Sequence, residues 1–209
     1  MKYYISDLHL FHRNVTAEGK NYDKRPFATM DEMLKYIHDA WNKKVTNGDT
    51  VYILGDTSMR NTDEALISYM AALRGQKHLI TGNHDDIRDA RYQRLFADIT
   101  PYKETEDFLG KDRKRLVLSH FPILFWNNQH RNSIHLYGHV HNSVEEAFFQ
   151  DCIRRINSGE CPSYKEGDAP VKAYNVGCMM PYMGYVPRTL NEIVAGAEAL
   201  RMVDDGTNR

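Results

Sequence analysis

The stretch LITGNHDD, residues 79–86, decides how the rest of the chain is interpreted. It places a glycine, an amide, an imidazole and two carboxylates directly after a short apolar run of the kind that forms a β-strand. One such cluster is weak evidence for a site, because Gly, Asn and Asp are ordinary turn residues. A functional interpretation therefore requires the same pattern to recur elsewhere in the chain.

The pattern recurs after every predicted strand of the first 140 residues. The predicted strands are KYYIS at 2–6, TVYIL at 50–54, KHLIT at 77–81, RLVLS at 115–119 and IHLYG at 134–138. The polar groups that follow them are Asp7 and His9, then Asp56, then Asn83 and His84, then His120, and finally His139 and His141. Because sites in open α/β sheets assemble at the carboxyl ends of the strands, these side chains are predicted to converge.

Helical patterns separate the first three predicted strands. The first helix opens with Thr29 three residues before Glu32, which is the spacing of a capping box. A second helical pattern ends at Gly75, and a third is predicted from Asp86 to about Ala97. Strands that alternate with helices favour an α/β layered fold with right-handed crossovers.

The second half of the chain is less regular. Residues 101–119 read as a hairpin that turns near Gly110, and residues 189–203 read as a closing helix. Residues 148–170 are polar and contain Gly and Pro, so they are predicted to form a surface insertion. No repeat or interdomain linker is visible, and the chain is predicted to be a single domain over 1–209.

The composition excludes several classes of protein. Of the 209 residues, 27 are Lys or Arg and 28 are Asp or Glu, so nucleic acid is not the favoured partner. The three cysteines form no CxxC pair, which favours a reducing cytoplasm. No run approaches 18 apolar residues and a carboxylate follows within seven residues of Met1, so neither a membrane span nor a signal peptide is expected.

The polar groups after the strands suit metal ions. Carboxylate and amide oxygens mixed with imidazoles, without thiolates, favour Mn, Fe, Zn or a mixture of these over a structural zinc site. The candidate groups outnumber the ligands that one ion takes, so two divalent ions are expected. Two ions a few ångströms apart need a bridging anion, and Asp56 lies in the middle of the set.

The ordered motifs also resemble those of the calcineurin-like metallophosphoesterases. They are D-x-H at 7–9, G-D at 55–56, G-N-H-D at 82–85, a lone His120 after a strand, and G-H-x-H at 138–141. SDLHLFHRN and the later YNVG and YVPRTLNEI are similar to a branch of small bacterial and phage phosphoesterases. The resemblance implies a four-layer αββα sandwich of mixed sheets flanked by helices.

Carried over by position, the resemblance implies two ions with Asp56 as the bridge. One ion would take Asp7, His9, Asp56 and His141, and the other would take Asp56, Asn83, His120 and His139. The implied activity is hydrolysis of a phosphomonoester or phosphodiester of a small substrate by a metal-bridging hydroxide, with His84 as the general acid. A nuclease or cyclic-nucleotide phosphodiesterase is the alternative, and a non-catalytic protein-binding scaffold ranks below both because all ligand positions are retained.

One position departs from the family pattern. Many of these phosphatases carry G-D-x-x-D, whose second Asp orients the catalytic His, whereas here GDTSM places Met59 there. Asp85 and Asp63 are the candidates to replace it. Three residues are candidate substrate contacts. They are His12 after the first strand, for which loop hydrogen bonding is the alternative, Arg60 after the second, where the resemblance implies a phosphate-binding Arg, and Arg131 in the connection to the fifth. His38, His78 and His135 are expected to be structural.

Overall fold

The predicted strands form two separate sheets. The computed structural model describes residues 1–59, 63–165 and 167–207 of the chain. The first sheet is parallel throughout, with the strands in chain order. Its strands are β1 Lys2–Ile5, β2 Thr50–Ile53, β3 Gln76–Ile80 and β4 Ile99–Thr100. Parallel pairing brings the carboxyl ends of β1, β2 and β3 to one edge, which is where the predicted ligands follow.

The second sheet is mixed. Its strands, again in chain order, are β5 Tyr102–Leu109, β6 Asp112–Ser119, β7 Ile134–Tyr137 and β8 Lys172–Asn175. β5 and β6 form the predicted antiparallel hairpin, while β6, β7 and β8 pair in parallel. β7 is buried along its whole length, and its side chains are apolar or aromatic except for the buried His135.

The helices begin where side-chain caps satisfy their first amide groups. They are α1 Met30–Lys44, α2 Glu64–Ala72, α3 Ala90–Gln93, α4 Val144–Asn157 and α5 Leu190–Thr207. The predicted start of α1 is confirmed, since the Oγ1 atom of Thr29 accepts a hydrogen bond of 3.2 Å from the Glu32 amide. Ser143 caps α4 in the same way through the amide of Glu145.

The four-layer prediction is confirmed by how these elements pack. One core contains residues of both sheets, including Ile5 and Ile53 of the first and Leu116 and Leu136 of the second. α1 and α2 lie side by side against this core, and α5 contacts β1, β5 and β8. α4 packs on the second sheet through a separate cluster, to which it contributes Phe149, Ile153 and Ile156.

Two predicted segments differ from the structure. The third helix is only α3, four residues long, because the carboxylates of Asp86 and Asp89 accept hydrogen bonds from the amides two residues ahead. The predicted insertion at 148–170 is too long, since residues 148–157 belong to α4 and contribute to its buried face. The amphipathic spacing of apolar residues in 144–157 indicates this helix.

The described ranges contain five α-helices, the longest of which, α5, has 18 residues. None of them combines the length and the apolar character that crossing a bilayer requires.

Candidate metal centre

Backbone hydrogen bonds join the loops that follow neighbouring strands. The amides of Asp7 and His9 donate to the carbonyls of Gly55 and Asp56 at 3.1 and 3.0 Å, so the first two loops continue side by side. In the second sheet, the amide of Gly138 donates to the carbonyl of His120 at 2.9 Å. The loops are therefore held in place before any side chain is considered.

Six predicted ligands form two compact groups. Their nitrogen and carboxylate oxygen atoms lie within 4.8 Å of one another in each group. Asp7, His9 and His141 form the first group, and Asp56, His120 and His139 form the second. These groups divide the residues as the sequence predicts, and they combine both sheets.

Asp56 lies between the two groups. Its Oδ1 atom is 3.5 Å from the Nε2 atom of His120, and its Oδ2 atom is 3.8 Å from the Nε2 atom of His9. One carboxylate therefore offers an oxygen to each side, as a bridging ligand requires. Asn83 joins the second group, because its Oδ1 atom is 3.0 Å from the Nε2 atom of His120.

Five of the seven predicted ligands have left-handed backbone. The φ angles are 55° for Asp7, 46° for His9, 51° for Asp56, 70° for His139 and 49° for His141. This conformation costs a residue other than glycine roughly 1–3 kcal/mol, and it persists where the surrounding structure enforces it. The strain coincides with the places where side chains turn inward to a common point.

Two motif glycines leave room for ligand carboxylates. A Cβ atom at Gly82 would lie 2.3 Å from the Oδ1 atom of Asp56, and one at Gly138 would lie 2.4 Å from the Oδ2 atom of Asp7. Real Cβ atoms do not approach oxygen so closely. The glycines of G-N-H-D and G-H-x-H are therefore required by the side chains packed over them.

Burial and charge act against each other in the site. Burial raises the pKa of the Asp7 carboxyl, although the neighbouring imidazoles and the Ser6 hydroxyl lower it. Burial, together with the Arg25 guanidinium, lowers the pKa of His9 and keeps that ring neutral. A neutral imidazole has a free lone pair, which is the form that binds metal.

The donor set fits two divalent cations. The Nε2 atoms of His9 and His141 lie 3.2 Å apart and face the same space as the Asp7 carboxylate. His120 donates its Nδ1 proton to the carbonyl of Leu54 at 2.8 Å, so its other ring nitrogen, Nε2, is the one directed to Asp56 and Asn83. Buried carboxylates with inward-facing imidazole nitrogens suit Mn, Fe or Zn, and no cysteine takes part.

Comparison with known proteins decides the family. A family model described as calcineurin-like phosphoesterase matches residues 3–159, a span that contains all the predicted ligands. The chain belongs to the calcineurin-like phosphoesterases. The Gene 66 protein of Mycobacterium phage D29 is 30% identical to it over 164 residues, covering 68% of this chain and 79% of that protein. The Gene 66 protein of Mycobacterium phage L5 is 28% identical over 166 residues, which cover 68% of this chain and 78% of that protein.

A solved structure shares the fold of this phosphoesterase. The protein AQ665 of Aquifex aeolicus superimposes with a TM-score of 0.56 at 23% sequence identity, over 93% of this chain and 98% of that one. At this identity the likeness concerns the architecture alone.

His84 lies at the open side of the candidate metal centre. Its side chain is exposed, its ring centroid is 5.7 Å from that of His9, and its amide donates to Asp56 Oδ1 at 3.0 Å. Neither candidate carboxylate orients its ring through a hydrogen bond among the described residues. Asp85 accepts from the amides of Gly82, Asp56 and Thr57, and Asp63 caps α2. Asp85 thus ties two ligand loops together.

The three predicted substrate contacts have different positions. His12 lines a cavity of about 340 Å³ with Met59, and its ring centroid is 6.1 Å from that of His9. The structure does not bring Arg131 to the site, since it precedes β7 whereas His139 follows that strand. Arg60 lies outside the described residues.

Two polar residues of the centre have no counterpart in the sequence motifs. Asp23 accepts a hydrogen bond of 2.6 Å from the Nδ1 atom of His141, and buried Arg25 pairs with Asp23 at 2.8 Å. Burial raises the pKa of the Asp23 carboxyl, but the His141 hydrogen bond and the Arg25 charge outweigh it and hold the pKa at about 2. No spacing rule reveals this contact, because Asp23 and His141 are 118 residues apart.

The three histidines expected to be structural are outside both ligand groups. His135 is fully buried, donates to the carbonyl of Val117 at 3.0 Å and accepts from the amide of Ile123 at 3.1 Å. His78 pairs with Asp98, and His38 lies on α1 beside Asp39. Each of these three histidines has a structural partner, so none of them requires a role in the reaction.

Proposed function

We propose that this protein is a dinuclear metal-dependent phosphoesterase that hydrolyses a small phosphomonoester or phosphodiester. The observation that carries the proposal is the position of Asp56, whose two oxygens face two separate groups of ligands. Membership of the calcineurin-like phosphoesterases supports a metal-dependent hydrolase in general. The bridging role and the number of ions are our inference from this geometry.

In this proposal the ligands divide as the two groups do. Asp7, His9 and His141 would hold one cation with Oδ2 of Asp56, and His120, His139 and Asn83 would hold the other with Oδ1. When bound, two divalent cations make water a nucleophile near neutral pH and offset the charge that develops on the phosphoryl oxygens. Mn, Fe and Zn all accept such a donor set.

The protein's own groups complete the reaction. His84 is exposed beside the ligands, so its imidazole can reach the ester oxygen of a bound substrate and donate a proton to the departing alkoxide. Asp85 holds the loops of Asp56 and Gly82 together through their amides and thereby fixes the Asp56 loop relative to the loop that carries Asn83. Proton donation of this kind contributes about 10²- to 10⁴-fold in rate.

The space around the ligands supports a small substrate. A cavity of about 680 Å³ is lined by Tyr22, Lys24, His139 and His141, and His12 lines another of about 340 Å³. Volumes in this range accommodate small molecules. The balanced charge of the chain favours such a substrate over a polyanion, and the three free cysteines suit a cytoplasmic protein.

Metal content and hydrolysis test the proposal together. We expect about two transition-metal ions per chain by elemental analysis and Mn-dependent hydrolysis within a panel of an aryl phosphate, a bis-aryl phosphate, a cyclic nucleotide and an oligonucleotide. Asp56→Asn should lower the best of these rates at least about 100-fold while the circular dichroism spectrum is unchanged. Asp151→Asn removes an exposed carboxylate paired with Arg154 and is the matched control.

Two outcomes would contradict the proposal. A well-folded protein that takes up no more than one ion would exclude a dinuclear centre. Full activity of Asp56→Asn would exclude the bridge. Cleavage of the oligonucleotide alone would instead support the nuclease alternative.

A further inference from the structure

Residues 21–25 lie outside the family motifs in the sequence, yet they contact the first ligand group. We propose that Asp23 and Arg25 are positioning residues that hold His141 and the Asp7 loop for one of the two cations. This inference rests on the proposed dinuclear function and assigns a role to residues that no sequence motif marks. It also predicts that the two cation sites differ in what supports them.

Asp23 fixes the ring of His141. The Oδ1 atom of Asp23 accepts the Nδ1 proton of His141 at 2.6 Å, and the Asp23 side chain is almost completely buried. With the Nδ1 proton directed to Asp23, the Nε2 atom, which is 3.7 Å from the Oδ1 atom of Asp7, is the ring nitrogen available to a cation. A carboxylate behind a ligating imidazole fixes both its tautomer and its orientation.

Arg25 connects Asp23 to the backbone of the first ligand loop. The Oδ2 atom of Asp23 accepts from the Nε and Nη2 atoms of Arg25 at 3.0 and 2.8 Å. The guanidinium also donates to the carbonyls of Asp7 and Leu8, both at 2.8 Å. Because the guanidinium is planar and fully buried, it fixes the carboxylate and the left-handed loop relative to each other.

The side chain of Asn21 closes the segment on itself. Its Oδ1 atom accepts from the amide of Arg25 at 2.8 Å, and its Nδ2 atom donates to the carbonyl of the same residue at 3.3 Å. The segment therefore reaches His141 as a preformed turn and not as a loose loop.

The second ligand group has a different support. The Nδ1 atom of His120 donates to a backbone carbonyl, that of Leu54, at 2.8 Å. This carbonyl belongs to the loop after β2 and does not depend on residues 21–25. Loss of the Asp23 carboxylate should therefore weaken one cation site and spare the other, which a general loss of folding would not do.

Metal titration tests this selectivity. Full-length wild-type protein and Asp23→Asn are stripped of metal and titrated with Mn²⁺ by calorimetry. Wild type should bind two ions, whereas Asp23→Asn should bind one with unchanged affinity and the other about 10- to 100-fold more weakly. Asp39→Asn is the matched control, since it removes a carboxylate 3.1 Å from the Nδ1 atom of His38 on an exposed face of α1.

The outcomes separate this inference from the proposed function. If wild type binds two ions and Asp23→Asn binds both equally well, the positioning role is wrong and the dinuclear proposal stands. If wild type binds fewer than two ions, the dinuclear proposal itself fails. Should Asp23→Asn not fold, ¹⁵N spectra of the zinc-loaded wild type decide: a proton at Nδ1 of His141 is expected, and a proton at Nε2 would overturn the inference.

Discussion

The Nε2 atoms of His9 and His141 lie 3.2 Å apart, with the Asp7 carboxylate 3.7 Å from the latter. Both imidazole nitrogens and the carboxylate thus face one small space. Without a cation, one of the two Nε2 atoms must carry a proton and donate a hydrogen bond to the other. A bound cation would accept both lone pairs together with the charge of the carboxylate, so the ligands favour the loaded state.

Metal removal should therefore destabilise the fold. A cation at 100 times its dissociation constant adds about 2.7 kcal/mol to the free energy of unfolding. At about 2–4 °C per kcal/mol, chelation should lower the melting temperature by roughly 5–10 °C, and Mn²⁺ should restore it. Calorimetry with and without chelator measures the shift. The double variant Asp7→Asn, Asp56→Asn should show none, and an equal shift in that variant would refute binding at these residues.

Replacing His84 should affect poor leaving groups most. The phenolate that leaves phenyl phosphate is more basic than 4-nitrophenolate and needs a proton from His84 more, so His84→Ala should slow phenyl phosphate hydrolysis by a larger factor. Rates for both substrates under matched Mn²⁺ measure the ratio. If the two substrates slow equally, His84 does not act as the acid.

Gly82→Ala should displace the bridging carboxylate. The added Cβ atom would meet the Oδ1 atom of Asp56 at 2.3 Å and its amide nitrogen at 2.7 Å. We expect Mn²⁺ affinity to fall at least about tenfold while the secondary structure remains. Gly48→Ala is the control, because its nearest contact would be at 3.9 Å. Wild-type affinity in Gly82→Ala would show that the carboxylate does not occupy this position.

Buried His135 should make stability depend on pH. Burial lowers the pKa of His135 from 6.5 to about 4, so the unfolded chain takes up the proton first. The stabilisation is complete above pH 6.5 and is lost as the pH falls toward 4. Between pH 7 and 4.5, wild type should lose about 2–3 kcal/mol more free energy of unfolding than His135→Gln. Urea unfolding in chelator compares the two, and parallel pH profiles would contradict the assignment.

Most of the metal centre could be predicted because it follows strand ends. Asp7, Asp56 and Asn83 each come directly after an apolar run, and the parallel order of β1, β2 and β3 brings such positions together. The same logic holds for His120 and His139 in the second sheet. The fold class followed from the alternation of strands and helices and from the family motifs.

The rest depends on contacts that local patterns do not record. Asp23 belongs to an irregular loop, and its partner His141 is 118 residues away, so neither period nor spacing marks it. The third helix was predicted too long because Asp86 and Asp89 bind their own neighbouring amides. Arg131 was predicted at the site because its loop joins two ligand strands, but it lies at the opposite end of β7.

The left-handed backbone of Asp7, His9, Asp56, His139 and His141 sets backbone stability against the retention of the ligands. Glycine adopts this conformation at little cost, so at each of these positions a substitution to glycine would relieve strain while removing a ligand. A carboxylate or an imidazole stands at all five positions in this chain, so each position gives up the relaxed backbone that glycine would allow and keeps a side chain that faces the candidate metal centre.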